Sequence, residues 1–184
     1  GLLAMVGLAL GLLAVWGGTW ATVLAPTAPK EIRAKAFIVV DDQGRERAEL
    51  DVEADEPGLY LFGEDGNLRA RLRADKDGAE LTLHDENGTN RVALVTDATW
   101  QALTLSDEKE ETRVALGLLP DMQGLRLTDT NGDVRIGLVT DRFGPRLNLW
   151  DDNGSKRAML SADKDGATLT LLDEIGKTIW QAPR

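Results

Sequence analysis

The chain contains no cysteine and only one histidine, His84. The absence of cysteine excludes disulfide bonds and thiolate metal ligands. No serine or cysteine pattern surrounds His84, so we interpret it as a surface residue and not as a general base. The sequence also lacks a phosphate-binding loop, a dinucleotide fingerprint and a histidine cluster for zinc. These absences predict a non-enzymatic protein with no catalytic residue, no metal site and no cofactor.

Positive charges are outnumbered by negative ones. The chain has 21 lysine and arginine residues against 31 aspartate and glutamate residues, which gives a net charge of -10. Nucleic-acid binding requires clustered basic residues, so nucleic acid is not expected as a partner. No charged residue precedes Lys30. The chain therefore divides into an uncharged apolar head and an acidic body that is large enough for one domain.

The apolar head is long enough to cross a lipid bilayer. Residues 2–24 carry no charge. A transmembrane helix needs roughly 20 apolar residues, whereas the apolar core of a signal peptide has about 7 to 15. Pro26 and Pro29 would end the span. We predict a transmembrane helix over residues 1–25 and a linker over residues 26–36.

Small residues in the predicted helix offer a packing surface, namely Gly7, Gly11, Gly17 and Gly18. Such residues let helix backbones approach closely, so we expect contacts with integral-membrane protein subunits within the bilayer. Glycine is also simply common in membrane helices, and this alternative stays open. Three basic residues follow the span, at Lys30, Arg33 and Lys35. They favour a β-domain on the cytoplasmic side of the inner membrane, although a basic segment before Gly1 would reverse that orientation.

The rest of the chain, residues 37–184, is built from a 22-residue unit that occurs seven times. With one exception a glycine marks each unit, at Gly44, Gly66, Gly88, Glu110, Gly132, Gly154 and Gly176. In most units an aspartate lies three residues before this position and an arginine three residues after it. Gly63 interrupts the aspartate column and Ile179 interrupts the arginine column. A fixed period of this kind indicates a repeat architecture.

Each unit holds two runs of alternating apolar residues, which are typical of β-strands with one buried face. The two strands of a unit are joined by dipeptides that favour two-residue type I′ turns, at Asp65-Gly66, Asn87-Gly88, Asn131-Gly132 and Asn153-Gly154. Counting outward from the first of these predicts Leu61 opposite Ala70. The same arithmetic predicts Ala74 opposite Leu81 across the turn at Asp77-Gly78.

These strands predict an all-β extramembrane domain. We expect an antiparallel meander that rolls up into a barrel, a roll or a sandwich and so buries leucine against leucine. The alternative is a β-solenoid, in which each unit forms one coil and equivalent strands stack in parallel.

The repeated aspartate and arginine residues have two possible interpretations. Aspartate can initiate each turn while arginine forms surface ion pairs, or the repeated pair can form a ligand-binding surface. Residues 75–78, 163–166 and 129–133 resemble fragments of calcium loops. None of them continues to the terminal glutamate that an EF-hand loop requires, so we interpret them as plain turns.

Several apolar side chains are predicted to point away from the leucine side of the strands. The largest are Tyr60, Phe62, Trp150 and Met159. They could complete a two-sided core or form a docking surface for a partner. The sequence leaves both possibilities open.

Three segments carry a resemblance: FIVVDDQGRERAEL, LTLHDENGTNRVAL and LNLWDDNGSKRAML. They resemble the D-x-x-G-x-x-R repeats of bacterial membrane-anchored β-repeat proteins, a group without a settled enzymatic activity. The layout is also similar to that of an accessory subunit of a bacterial photosynthetic reaction-centre and antenna complex. The resemblance, over residues 37–182, implies a non-catalytic accessory or scaffolding subunit of a larger membrane complex. The alternative is a free-standing membrane-anchored module that binds a ligand or a cell-envelope polymer.

Overall fold

A computed structural model describes residues 31–120 and 122–183. Fourteen strands in this part of the chain form one antiparallel sheet, whose strand order follows the sequence. The strands are β1 (Ala36–Val40), β2 (Glu46–Glu53), β3 (Glu56–Phe62), β4 (Leu68–Ala74), β5 (Gly78–His84), β6 (Asn90–Asp97), β7 (Gln101–Ser106), β8 (Thr112–Leu119), β9 (Met122–Thr128), β10 (Val134–Asp141), β11 (Gly144–Trp150), β12 (Lys156–Asp163), β13 (Gly166–Leu172) and β14 (Thr178–Ala182). The predicted antiparallel meander is confirmed. The solenoid alternative is wrong, because every strand pairs antiparallel with its neighbours in the sequence.

The sheet is open. Among the described strands β1 pairs only with β2, and β14 pairs only with β13. No described strand contacts any strand other than its immediate neighbours. The predicted barrel would pair β1 with β14, and a roll or a sandwich would bring distant strands together. The expectation that the meander rolls up is therefore wrong for the described residues.

The apolar head lies outside the residues that the structure describes. The predicted helix over residues 1–25 lies outside the described residues, together with Gly7, Gly11, Gly17 and Gly18. Within residues 31–120 and 122–183 there is no helix of sufficient length and apolarity to span a membrane.

A continuous row of leucines crosses the sheet from β2 to β13, each directly opposite the next. Its members are Leu50, Leu59, Leu72, Leu81, Leu94, Leu103, Leu116, Leu125, Leu138, Leu147, Leu160 and Leu169. We call the side of the sheet that carries this row the leucine face, and the opposite side the mixed face.

The leucine face is not a buried core. Its exposed large side chains retain between 36% and 61% of their accessible surface, because no second layer of the described chain covers them. On the mixed face, by contrast, Thr82 is fully buried. Arg71 lies directly opposite Thr82, and His84 hydrogen-bonds its hydroxyl group. The expected burial of leucine against leucine is therefore wrong for this sheet, in which side chains pack mainly against neighbours on their own face.

The glycine turns are one residue longer than predicted. In the turn between β5 and β6 the Asp85 amide donates to the Thr89 carbonyl, and the Gly88 amide donates to the Asp85 carbonyl. Gly88 adopts a φ of 82°. This is the pattern of a three-residue hairpin loop that ends in a left-handed residue, and the predicted type I′ turn is wrong.

The predicted register is nevertheless confirmed, because a β-bulge absorbs the additional residue. Leu61 pairs with Ala70, while Phe62 pairs with Leu68, so that Arg69 has no partner in the ladder. A bulge leaves one residue unpaired and turns its side chain in a new direction. The same bulge recurs beside every glycine turn. The bulged residues are Arg47, Arg69, Arg91, Arg113, Arg135, Arg157 and Ile179.

At the other edge of the sheet, the predicted pairing across the turns is wrong by two residues. Ala74 pairs with Ala79 and not with Leu81, whose partner is Leu72. Gly78 belongs to β5 and pairs with Asp97 of β6, so it lies in a strand and not in the predicted two-residue loop. Because side chains alternate with a period of two, this slip leaves every residue on its predicted face.

Candidate functional site

All seven glycine turns lie along one edge of the sheet, which we call the glycine edge. Each of these turns connects an odd-numbered strand to the even-numbered strand that follows it. In a meander such turns occur on the same side, so the repeated aspartate and arginine side chains are collected along this edge.

In six of the seven glycine turns, all except the one at Gly63, the aspartate of the column holds the loop closed. One oxygen of the Asp107 carboxylate, Oδ1, accepts hydrogen bonds from the amides of Lys109 (2.9 Å) and Glu111 (3.1 Å). The other oxygen, Oδ2, accepts from the Arg113 Nε at 2.7 Å. The same two sets of bonds recur at Asp129 with Arg135. The carboxylates of the aspartate column therefore form these hydrogen bonds within their own turns.

Four of the six bulged arginines also link their own turn to the next hairpin along the edge. The Arg91 Nε donates to the Ser106 carbonyl at 2.8 Å, and the Arg47 Nε donates to the Phe62 carbonyl at 3.3 Å. Arg113 likewise donates to the backbone carbonyls of the following turn. Arg69 does the same through the Asp85 carbonyl, so these four arginines each join two consecutive hairpins. These contacts support the structural reading of the charge columns.

Nine aspartates of the sheet have a pKa below the ordinary value of 3.8, namely Asp41, Asp65, Asp75, Asp85, Asp97, Asp107, Asp129, Asp141 and Asp151. For Asp65, Asp75 and Asp97 the largest cause is a hydrogen bond from a backbone amide. For Asp107 and Asp129 partial burial alone would raise the pKa, but hydrogen bonds from the bulged arginine and from amides outweigh it.

We therefore expect the sheet to lose stability in acid. An unfolded aspartate binds its proton near the ordinary pKa, whereas the folded aspartate stays ionised to a lower pH. The stabilisation is complete above the ordinary value and disappears as the pH falls through the lowered folded values. The measurement is the urea midpoint between about pH 6 and about pH 2.5. A midpoint that stays constant over this range would contradict the role of these carboxylates.

Glu110 occupies the position that glycine holds in the other six turns, and its φ is 64°. A side chain in this left-handed conformation costs roughly 1 kcal/mol relative to glycine. We therefore expect Glu110→Gly to raise the free energy of unfolding by about 1 kcal/mol. Urea denaturation measures the change. Glu108→Gly is the control, because it removes the same charge in the same turn, and it should not stabilise the protein.

Residues 75–78 and 163–166, which resemble fragments of calcium loops, are turns in the structure. One oxygen of Asp75 accepts hydrogen bonds from the amides of Asp77 (2.8 Å) and Gly78 (2.9 Å). Among the described residues, no three histidine, aspartate or glutamate side chains are grouped so that they could hold a metal ion.

His84 is held within the sheet. Its Nδ1 lies 3.1 Å from the Gly88 carbonyl oxygen, and its Nε2 lies 3.0 Å from the Thr82 hydroxyl. One neutral tautomer satisfies both contacts, with Nδ1 donating and Nε2 accepting. The Thr82 hydroxyl is fully buried, so this pair offers no accessible nucleophile.

The four predicted docking residues all lie on the mixed face, and all are half-buried. Tyr60 covers the backbone at Gly58, and Trp150 covers the backbone at Gly137. Met159 is near Trp150, since it lies opposite Asn148 on the neighbouring strand. Tyr60 and Phe62, on β3, are separated from them by seven strands. The structure does not join the four into one patch, and a docking role for them stays a prediction.

The leucine face is the surface that the sequence analysis missed. Of 29 exposed large apolar side chains in the described part of the chain, 20 lie on this face. No strand residue on it is charged, whereas the mixed face carries charged residues such as Glu49, Arg71 and Arg126. The alternating pattern contained the signal, but alternation alone does not distinguish a buried face from an uncovered one. Large uncovered apolar patches mark interaction sites in soluble domains.

No protein-family model matches this chain. No curated protein matches it at a significant level either.

Proposed function

We propose that this protein is a non-catalytic accessory or scaffolding subunit of a larger membrane protein complex, and that its leucine face is the assembly surface. The observation that carries the proposal is the leucine row itself. Twelve strands present leucine side chains in a continuous line, without a charged strand residue on that face and without a covering layer in the described residues. Apolar burial is the dominant favourable term in protein association.

The predicted transmembrane helix would hold the sheet at the membrane surface, where it could brace neighbouring subunits. The complex could be a photosynthetic or a respiratory one, with the sheet on the cytoplasmic side of the inner membrane. The arrangement of charges on the glycine edge gives no support to the alternative of a ligand-binding module. The aspartates and arginines there already bond to one another and to the backbone of the turns.

Gentle detergent extraction from native membranes tests this proposal. The extract is separated by native size analysis, and an absorbance spectrum is recorded for the fraction that holds the protein. We expect migration in a large complex with other subunits at fixed stoichiometry, and pigment absorbance would identify a photosynthetic complex. A protein that runs without any other subunit would refute the proposal.

Two variants locate the contact within the chain. A Gly7→Ile/Gly11→Ile double substitution should release the protein if the predicted helix packs against its partners through glycine. Leu94→Lys adds a charge to the leucine face and should release it if the sheet is the contact surface. Lys76→Met removes a charge at an exposed turn and is the control, which should stay in the complex.

A further inference from the structure

The leucine face has the dimensions of one complete protein interface. It presents 20 large apolar side chains that are each at least one-third exposed, and a stable interface of standard size has roughly 20 to 30 residues on each side. Scattered apolar residues on a protein surface need no partner, but a contiguous face of this extent does. The face is therefore large enough to be covered by one partner of similar size.

The pattern of this face is complementary to itself. Beside the leucine row runs a second row in which leucines alternate with smaller side chains from β2 to β8, for example Leu61, Ala70, Leu83 and Val92 across consecutive strands. Leucines of one such row can pack over alanines and valines of an identical row. Packed sheets lie about 10 Å apart with interdigitated side chains. A two-fold axis places identical surfaces against each other, which is how most homodimers form.

The distribution of charge favours the same pairing. The chain has a net charge of -10, so two copies repel each other wherever their charged surfaces meet. The charged strand residues lie on the mixed face, and the other charged residues of the sheet lie in its turns. Contact through the leucine faces keeps these charges on the outside, where water screens them.

We propose that the leucine face is covered by the leucine face of a second copy of this chain, which makes a β-sandwich of two identical sheets. This inference rests on the proposed role of the face as an assembly surface, and it names the partner. Each sheet supplies one layer of a shared core, so two chains together complete the core that the described part of one chain lacks.

The mass of the full chain in a mild detergent, measured by light scattering with the detergent subtracted, tests the proposal. The expected value is twice the chain mass of 20.0 kDa. Leu116→Lys, near the middle of the row, should halve the protein mass, because each dimer would bury two unpaired lysines. Ile38→Lys is the matched control. Ile38 has nearly the same exposed fraction, 50% against 52%, but it lies on the mixed face of the edge strand, and the variant should stay dimeric.

Two further measurements separate the possible causes of a changed mass. The far-ultraviolet circular dichroism of Leu116→Lys should remain that of the wild type, which excludes simple unfolding. The Gly7→Ile/Gly11→Ile variant should also remain dimeric, which excludes a dimer held by the predicted helix. A monomeric wild type, or a folded Leu116→Lys that keeps the dimer mass, would overturn the proposal.

The outcomes distinguish this inference from the proposed function. A homodimer that extracts from membranes without other subunits refutes the accessory-subunit proposal and leaves the pairing of leucine faces intact. A monomeric chain that migrates with other subunits refutes the pairing and leaves the accessory role intact.

Discussion

Gly78→Ala should lower the free energy of unfolding by about 3 kcal/mol, which is at the upper end of the usual cost of overpacking. A β-carbon on Gly78 would lie 1.8 Å from the backbone oxygen of Thr96 and 2.9 Å from the α-carbon of Asp97. These are backbone atoms of the adjacent strand β6, so they cannot rotate away as a side chain would. The ladder between β5 and β6 has to separate locally to admit one methyl group. Urea denaturation of the purified protein measures the loss.

Gly117→Ala is the matched control for this prediction. A β-carbon on Gly117 would lie 3.6 Å from the Gln101 oxygen, which is an ordinary van der Waals contact. Both glycines lie in strands, so the intrinsic propensities of the two substitutions are the same. Gly117→Ala should be neutral or slightly stabilising, because it reduces the freedom of the unfolded chain. Equal effects of the two substitutions would contradict the proposed steric origin.

Arg113→Met should lower the melting temperature by roughly 5 to 10 °C, the range expected when several hydrogen bonds to a charged group are lost. Arg113 is the most enclosed of the bulged arginines that form ion pairs, with 18% of its side chain exposed. It bonds the Asp107 carboxylate and the backbone of the next glycine turn. Methionine keeps much of the apolar stem but leaves these acceptors without their donor. Differential scanning calorimetry measures the change.

Lys76→Met tests whether the stabilisation by Arg113 depends on the enclosure of its side chain. Lys76 also forms an ion pair, with Asp77 at 2.7 Å, but 86% of its side chain is exposed. Exposed pairs of this kind contribute little to stability, because water and salt screen them. The melting temperature of Lys76→Met should therefore stay close to that of the wild type. A similar fall in the melting temperature of both variants would show that the bonds of Arg113 to the next turn add no more stability than an exposed ion pair does.

The sequence was most informative about the position of residues within each repeat. The 22-residue period correctly predicts the strands, the alternation of their faces and the pairing of Leu61 with Ala70. It does not reveal the bulge at Arg69, because a two-residue loop and a three-residue loop with a bulge give the same pairing further from the turn. Local turn propensity could not separate the two, and only the backbone hydrogen bonds of the turn do so.

The layer arrangement could not be predicted for a different reason. Alternation shows which side chains share a face, but the covering of that face depends on contacts between layers, and these leave no periodic mark in the sequence. We therefore expected the leucines to cover one another within one chain, whereas Leu94 and Leu116 each remain 52% exposed.

The restriction of strand contacts to neighbours in the sequence makes the size of this sheet adjustable. Adjacent strands lie about 4.8 Å apart, so each 22-residue unit widens the sheet by roughly 10 Å and all fourteen strands extend it to roughly 60 Å. Within the described part of the chain, no contact between distant strands fixes the number of units. Gain or loss of a whole unit would lengthen or shorten the leucine row by two strands and leave the remaining pairs unchanged. The width of the sheet, and with it the length of the leucine row, is therefore set by the number of repeats alone.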